Sequence, residues 1–388
     1  MRPVPNVVGV EARLGDLAAM RAALRRAEAE GADWLSFVAP GERLAEEAEM
    51  LAAPALPLFD AVFGAIRAPA SGTVWRLSRL AFEAPERLPH ALLHWWVGEP
   101  RFIRRTVLAD LLAAGDEGAT RIERLFRLWT GARCIKLAAP LAETLVEPLG
   151  LDADERRAVL ERLAAEPVFL PVRHGETIYR LPYTGRNAGI EREQTRGQFF
   201  EAEELSILKE RVGPGARVVD VGANTGNHTV FFAGPMRAAR VLPFEPAPDT
   251  ALALSRTVAI NRLGNVDLAQ LGKGVGAAPG RMRVVASERG GLGAAHLVDD
   301  PKGTIEVVRL DDVLTEAPGL LKIDVEGMEL EVLAGAEATI RRARPLIFVE
   351  IANANTARFL DWLALAGYGI ERIFSDKGHA NYLIAPRD

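Results

Sequence analysis

The sequence predicts an α/β protein in which a doubly wound, Rossmann-like domain follows a smaller α/β accessory domain, and three observations predict it. Its 388 residues exceed the size at which one hydrophobic core keeps growing, so two domains are expected. Short apolar segments alternate with helix-forming runs through the second half, the pattern of a parallel sheet covered by helices on both faces. A helix-like run over 152–165, opened by Asp152 and followed by Pro167, marks a boundary. The expected organisation is an accessory domain over 1–150, a linker helix over 151–169 and the larger domain over 170–388.

The elements follow in order. Residues 14–30 are rich in strong helix formers, and Gly31 supplies a stop. Trp34-Leu-Ser-Phe-Val38 reads as a buried strand, Ala39-Pro-Gly41 breaks it, and 42–51 reads as a second helix. Residues 59–66 fit a strand, 104–114 and 121–129 fit amphipathic helices, and Trp95 and Trp96 read as core aromatics. Residues 168–184 alternate as two short strands around Arg173-His-Gly-Glu176, a hairpin. Beyond it, strands are expected at 217–221, 239–244, 265–271, 320–324 and 346–351.

Composition excludes several classes of function. No uncharged apolar run approaches the length of about 18 residues needed to span a bilayer. The first residues lack the apolar core and small-residue cleavage site of a secretory signal, so the cytoplasm is the expected location. The single cysteine, Cys134, excludes an intramolecular disulfide and reads as a small buried hydrophobe. A net charge of −5 gives no basic footprint for nucleic acid, and the Arg-Arg pairs at Arg25, Arg104 and Arg341 fit solvated helix faces. The six histidines form no His-x-x-x-His pair, so a histidine-based metal site is not expected, and His228 and His296 read as structural.

The chemistry concentrates at Arg217-Val-Val-Asp-Val-Gly-Ala-Asn-Thr-Gly226, an apolar strand that carries one acid and runs into a glycine turn before a helix. Glycines permit a tight turn and let a ligand approach backbone amides at the helix start. Asn224 stands where the Gly-x-Gly-x-x-Gly fingerprint of dinucleotide sites needs glycine, which opposes a nicotinamide-dependent oxidoreductase. Asp220 at the strand end suits the ammonium of an amino acid, and Glu245, nineteen residues after Gly226 at the end of the next strand, suits a ribose diol. Together they frame a nucleoside joined to an amino acid.

These residues resemble the FkbM family of methyltransferases. Three blocks carry the resemblance: Asp220-Val-Gly-Ala-Asn-Thr-Gly226, Lys322-Ile-Asp-Val-Glu-Gly-Met-Glu329 and Arg344-Pro-Leu-Ile-Phe-Val-Glu350. Phe200-Glu201 and Asn261 match further family positions, and the likeness covers about residues 170–388. It implies S-adenosylmethionine as cofactor, bound by Asp220, Gly222, Asn224, Gly226 and Glu245, with Glu201 contributing from outside the sheet. It also implies that residues near Lys273 to Val275 flank the adenine. Gly290-Gly-Leu-Gly-Ala-Ala-His296 stands where many relatives carry a serine-rich loop. Residues 14–140 distantly resemble nucleotide-sugar glycosyltransferases, but Ala39-Pro-Gly-Glu42 replaces the acid pair that holds metal there. A degenerate transferase domain is implied.

Asp324 closes an apolar strand, and ligands of open α/β sheets bind beyond the carboxyl ends of strands, so it is expected to face the pocket. Glu326 follows within one turn of chain, and the two are the expected catalytic residues: methyl transfer to a hydroxyl needs the oxygen positioned and its proton removed. Glu326 also suits capping of the following helix. Glu350 ends the next strand and can reach the same crevice, which raises a divalent cation held by three acids, although no metal ligand is assigned. Glu329 and Glu331 read as solvated. The expected activity is O-methylation of a hydroxyl on a sugar, glycan or related natural product; the alternative is a binding or scaffold protein whose methyltransferase fold no longer catalyses.

Overall fold

The computed structural model describes residues 6–76, 88–94, 98–113, 119–145, 151–285, 292, 296–375 and 378–387. Trp95, Trp96 and most of the 290–296 stretch lie outside them. The chain divides into two compact units, residues 1–168 and 169–388.

Among the described residues the first unit is built on seven strands: β1 (Val7–Glu11), β2 (Trp34–Val38), β3 (Glu42–Leu44), β4 (Ala61–Arg67), β5 (Val74–Trp75), β6 (Phe102–Arg104) and β7 (Cys134–Thr144). They form one mixed sheet in the order β1-β2-β6-β4-β7-β3, with β5 pairing β4. Helix starts follow from capping: Asp16 accepts from the Ala19 amide, and Thr120 with Glu123 forms a reciprocal capping box. The run over 42–51, expected as a helix, instead pairs with β7 over Glu42–Leu44 and becomes helical only at Ala48–Ala52. Arg43 explains the difference, because its guanidinium reaches Glu143 on the partner strand at 2.6 Å, a cross-strand pair that a helix would forfeit. The helix Ala153–Ala165, read as a linker, is capped by Asp152 and tied into this unit by Arg121, whose Nη1 lies 3.1 Å from Glu155.

The second unit opens with a hairpin of β8 (Val168–His174) and β9 (Thr177–Tyr183). Its main sheet contains β10 (Arg217–Val221), β11 (Arg240–Phe244), β16 (Leu320–Ile323), β17 (Leu346–Ala352), β18 (Tyr368–Ser375) and β19 (His379–Pro386), and a smaller sheet holds β12 (Gly274–Val275), β13 (Gly280–Val285), β14 (His296–Asp299) and β15 (Ile305–Val308). The main order is β11-β10-β16-β17-β19-β18. The first four strands are parallel, and β19 runs antiparallel to both its neighbours. Strand order therefore reverses direction between β10 and β16, which opens a crevice at their carboxyl ends.

Side-chain alternation fills both faces of this sheet. Val218, Leu320, Phe348 and Leu383 join Phe231 and Phe232 on one side; Val219, Leu321, Ile347 and Val349 join Phe359 and Tyr382 on the other. Double-sided burial explains the continuous apolar runs, and each fully buried aromatic stabilises by roughly 2–3 kcal/mol. The expected strand at 265–271 is absent as a strand: Val266 makes a single bridge to Val241. There the Asp267 carboxylate accepts from the Ala269 amide and pairs with Arg240, a local turn that ends the ladder. Among the described residues no helix is long and apolar enough to cross a membrane.

Candidate functional site

The turn after β10 is fixed by its backbone. Gly222 has φ +78°, and a Cβ there would lie 1.7 Å from the Asp324 carbonyl oxygen, so only glycine lets the β10 and β16 ends approach. The Gly222 and Ala223 amides both donate to the Phe244 carbonyl, at 2.9 and 3.0 Å, which ties the turn to the end of β11. Asn224 adopts φ 51°, and its Oδ1 accepts from the Thr225 amide at 2.8 Å and from Asn187 Nδ2 at 3.0 Å. Glu245 accepts from the Asn224 amide at 2.9 Å and the Ala247 amide at 3.0 Å. Burial nevertheless outweighs these amides and pushes its carboxyl up to about 7.

A cavity of about 550 Å³ opens over this turn, lined by residues drawn from Asn187 to Asn381 along the chain. That volume falls within the usual range for small-molecule sites. Of the residues singled out in the sequence, Glu201, Gly222, Asn224, Glu245, Val275, Asp324 and Glu326 line it, as does Lys273. Asp220 and Gly226 do not. Asp220 is fully buried; it stands opposite Lys322 in the β10–β16 register, with Oδ1 3.3 Å from the Lys322 ammonium and Oδ2 accepting from Thr229 at 2.6 Å. Gly226 starts the helix Asn227–Ala233 and faces Leu254 of a neighbouring helix. Asn261 also lies away from the cavity, exchanging hydrogen bonds with the Arg180 backbone of β9.

Lys322 carries a role that the sequence reading missed. It is 2% exposed, donates to the Gly222 carbonyl at 2.6 Å, and lies 3.4 Å from Asp324 Oδ2. Burial opposes its charge, but Asp220, Asp324 and Glu201 outweigh burial and raise its pKa. A lysine inside the apolar run Leu320-Leu-Lys-Ile323 was the available signal, since a buried ammonium requires acidic partners.

Asp324, Glu326 and Glu350 meet at the mouth of the crevice, each offering a carboxylate oxygen within 4.8 Å of the others. Burial, then Asp324 and Glu329, pushes Glu326 up to about 7. Burial, then Asp324, Glu326 and Glu201, raises Glu350 well above the carboxylate range against the pull of Lys322. His379 Nε2 lies 3.3 Å from Glu350. Glu326 does not cap the following helix: the Gly327 amide donates to Glu329 at 2.7 Å instead. Glu329 is consequently buried at 2% exposure, not solvated, because satisfying that amide draws it inward; Glu331 is half-buried. His228 is buried beside Glu201, and His296 lines the cavity.

Residues 220–370 match the family described as Methyltransferase FkbM domain. The chain is 32% identical over 160 residues to Methyltransferase sdnD of Sordaria araneosa, covering 31% of this chain and 60% of that protein. It is 28% identical over 144 residues to Methyltransferase 1 of Beauveria bassiana, covering 31% of this chain and 58% of the relative. The chain thus spans less than two thirds of either relative's length. Among solved structures, a precorrin-6y C5,15-methyltransferase from Geobacter metallireducens aligns with 48% of this chain and 88% of its own, at 15% identity and a TM-score of 0.31. An rRNA methylase from Streptococcus thermophilus aligns with 48% of this chain and 96% of its own, at 12% identity and a TM-score of 0.32. What fixes the fold is the strand order of the second unit, not these scores.

The cavity residues fit S-adenosylmethionine. Glu245 offers acceptor oxygens already oriented by two amides, as a ribose diol requires; Val221, Phe244 and Val275 give apolar walls; and Glu201 supplies an acid for an ammonium. Residues 220–370 of the second unit thus match the methyltransferase FkbM domain family, and the cavity they help to line fits S-adenosylmethionine as cofactor.

Proposed function

We propose that the protein is an O-methyltransferase acting on a hydroxyl of a sugar, glycan or related natural product. The observation that carries this reading is the meeting of Asp324, Glu326 and Glu350 in the same cavity that Gly222, Asn224 and Glu245 line. When bound, S-adenosylmethionine supplies an electrophilic methyl group. Asp324, steadied by Lys322, and Glu326 orient the acceptor hydroxyl and take its proton at a carboxylate oxygen. Glu350, whose pKa is raised by burial and by the neighbouring acids, faces the same acceptor with His379 beside it.

A small-molecule or glycan acceptor, rather than nucleic acid, and a cytoplasmic location belong to the same proposal; the net charge of −5 supports the first. The first unit acts as an accessory domain without sugar-nucleotide chemistry. In its loop the Glu42 carboxylate is engaged by buried Arg101 at 2.5 Å, which supports a structural use of that acid. The test is mass spectrometry of glycans and small metabolites from cells with and without the gene, followed by transfer of a labelled methyl group to the candidate by the purified chain. Loss of one methylene's mass supports the reading. A chain that fails to bind S-adenosylhomocysteine overturns it and leaves the scaffold alternative.

A further inference from the structure

The cavity wall is charged unevenly. Six carboxyl groups line it, from Glu201, Glu204, Glu245, Asp324, Glu326 and Glu350, against the ammonium of Lys273 and the imidazoles of His296 and His379. Lys273 is already paired, its Nζ 3.3 Å from Glu306. Three of the acids have partners within the unit: Glu245 takes two backbone amides, Glu201 is held by Asn381 and His228, and Asp324 lies 3.4 Å from buried Lys322. The other three lack a full counter-charge. Among the described residues Glu204 and Glu326 form no ion pair, and Glu350 meets the His379 imidazole at 3.3 Å.

Carboxylates crowded in one cavity repel each other, and the empty site relieves the repulsion by keeping protons. Glu204, Glu326 and Glu350 show it, each raised first by burial and then by neighbouring acids. An anionic acceptor would add to the repulsion and a neutral one would leave it in place, whereas a cationic one relieves it. The cofactor does not do so, because Glu201 is the acid offered to its ammonium and its sulfonium loses its charge when the methyl group leaves. A divalent cation held by the same acids would face Lys322, 3.4 Å from Asp324, at about twice the repulsion that an ammonium meets. Oxygens of Asp324, Glu326 and Glu350 lie within 4.8 Å of one another, a spacing that a nitrogen and an oxygen on adjacent carbons can bridge.

We propose that the acceptor is an amino alcohol, such as an amino sugar or an amine-bearing natural product, whose ammonium is received by Glu350 while its neighbouring hydroxyl meets Asp324 and Glu326. The inference rests on the O-methyltransferase reading above and narrows its substrate class. Held against a carboxylate, the nitrogen stays protonated and has no lone pair, so the methyl group goes to oxygen. The O–C bond forms as the S–C bond breaks with its electron pair left on sulfur, and the hydroxyl proton passes to a carboxylate oxygen of Asp324 or Glu326. Glu204, in the first turn of the helix Ala202–Val212, adds to the negative field that draws the cation in.

The test starts from an extract of small molecules and glycans of cells lacking the gene, which holds the unmethylated acceptor. The extract is passed at neutral pH over a sulfonate and a quaternary-ammonium exchanger, and each fraction is assayed with the full chain and methyl-labelled S-adenosylmethionine. The accepting material should bind the sulfonate resin, lose acceptance when its amines are acetylated, and keep a free amine in the labelled product. Glu350→Gln should raise KM for that fraction roughly ten- to a hundredfold, the loss of one charge-assisted hydrogen bond, while S-adenosylhomocysteine binds within a few-fold of the wild type. The fractionation uses wild-type protein, so it stands even where the variant folds poorly.

Accepting material that passes the sulfonate resin, acceptance that survives acetylation, a Glu350→Gln protein with KM unchanged, or transfer that requires magnesium and stops with a chelator overturns the proposal. Label on nitrogen, or no accepting fraction for a chain that binds S-adenosylhomocysteine, overturns the O-methyltransferase reading as well, so the two failures are distinguishable.

Discussion

Replacing Lys322 by methionine removes an ammonium that serves three acceptors at once: the Gly222 carbonyl at 2.6 Å, Asp220 at 3.3 Å and Asp324 at 3.4 Å. Asp324 is part-exposed and can turn to water, but Asp220 is fully buried. Its carboxylate would be left uncompensated, and breaking a buried pair in this way costs about 3–5 kcal/mol. For a unit of this size the loss lowers the melting temperature by roughly 10 °C. Scanning calorimetry of the full chain reads the effect, the second unit's transition being the one that S-adenosylhomocysteine moves upward. Asp220→Asn combined with Lys322→Met leaves two uncharged side chains of nearly the original volumes and should recover more than half of the loss. A Lys322→Met protein melting within about 2 °C of the wild type, or a double variant no more stable than the single, refutes the account of Lys322 as a buried charge hub.

Three further outcomes are expected. Asp324→Asn should bind S-adenosylhomocysteine within a few-fold of the wild type while methyl transfer is lost; unchanged turnover would remove Asp324 from the mechanism. Because the Glu245 carboxyl is pushed up to about 7 when folded, the folded state keeps a proton that the unfolded chain gives up. The unliganded unit should therefore lose stability as pH rises from the ordinary value of 4.5 to about 7, and Glu326 acts in the same direction. Ribose hydroxyls favour the ionised acceptor, so ligand binding near that pH should release protons, measurable by calorimetry in buffers of different ionisation enthalpy. Proton uptake would contradict the assignment of Glu245.

What was legible in the sequence is what apolar periodicity and strand-end chemistry encode. The β10 strand, its glycine turn, Glu245, Asp324 and Glu350 all sit where a buried parallel strand stops and its last polar residue meets the crevice. Period alone does not say which neighbour a side chain meets, and there the reading of Asp220 departed from the structure: a strand-end acid can face a ligand or an adjacent strand, and Lys322 decided the matter. Residues 265–271 carried strand-like apolar spacing, yet Asp267 closed a turn. The antiparallel β19, which brings His379 and Asn381 to the site, had no counterpart in a strand-helix alternation, because that pattern speaks only for parallel crossovers.

The cavity draws its wall from Asn187 before the first parallel strand and from Asn381 on the last hydrogen-bonded strand inserted into the sheet. No fragment of the second unit that stops before β19 contains the whole wall. A chain that has paired only β10 and β11, or that lacks its final strand, holds the glycine turn and Glu245 but neither the hydrogen bond from Asn381 to Glu201 nor the β19 pairing opposite Glu350. Ligand capture is thereby made conditional on complete folding of the unit, and a bound nucleoside reports that the last strand is in place.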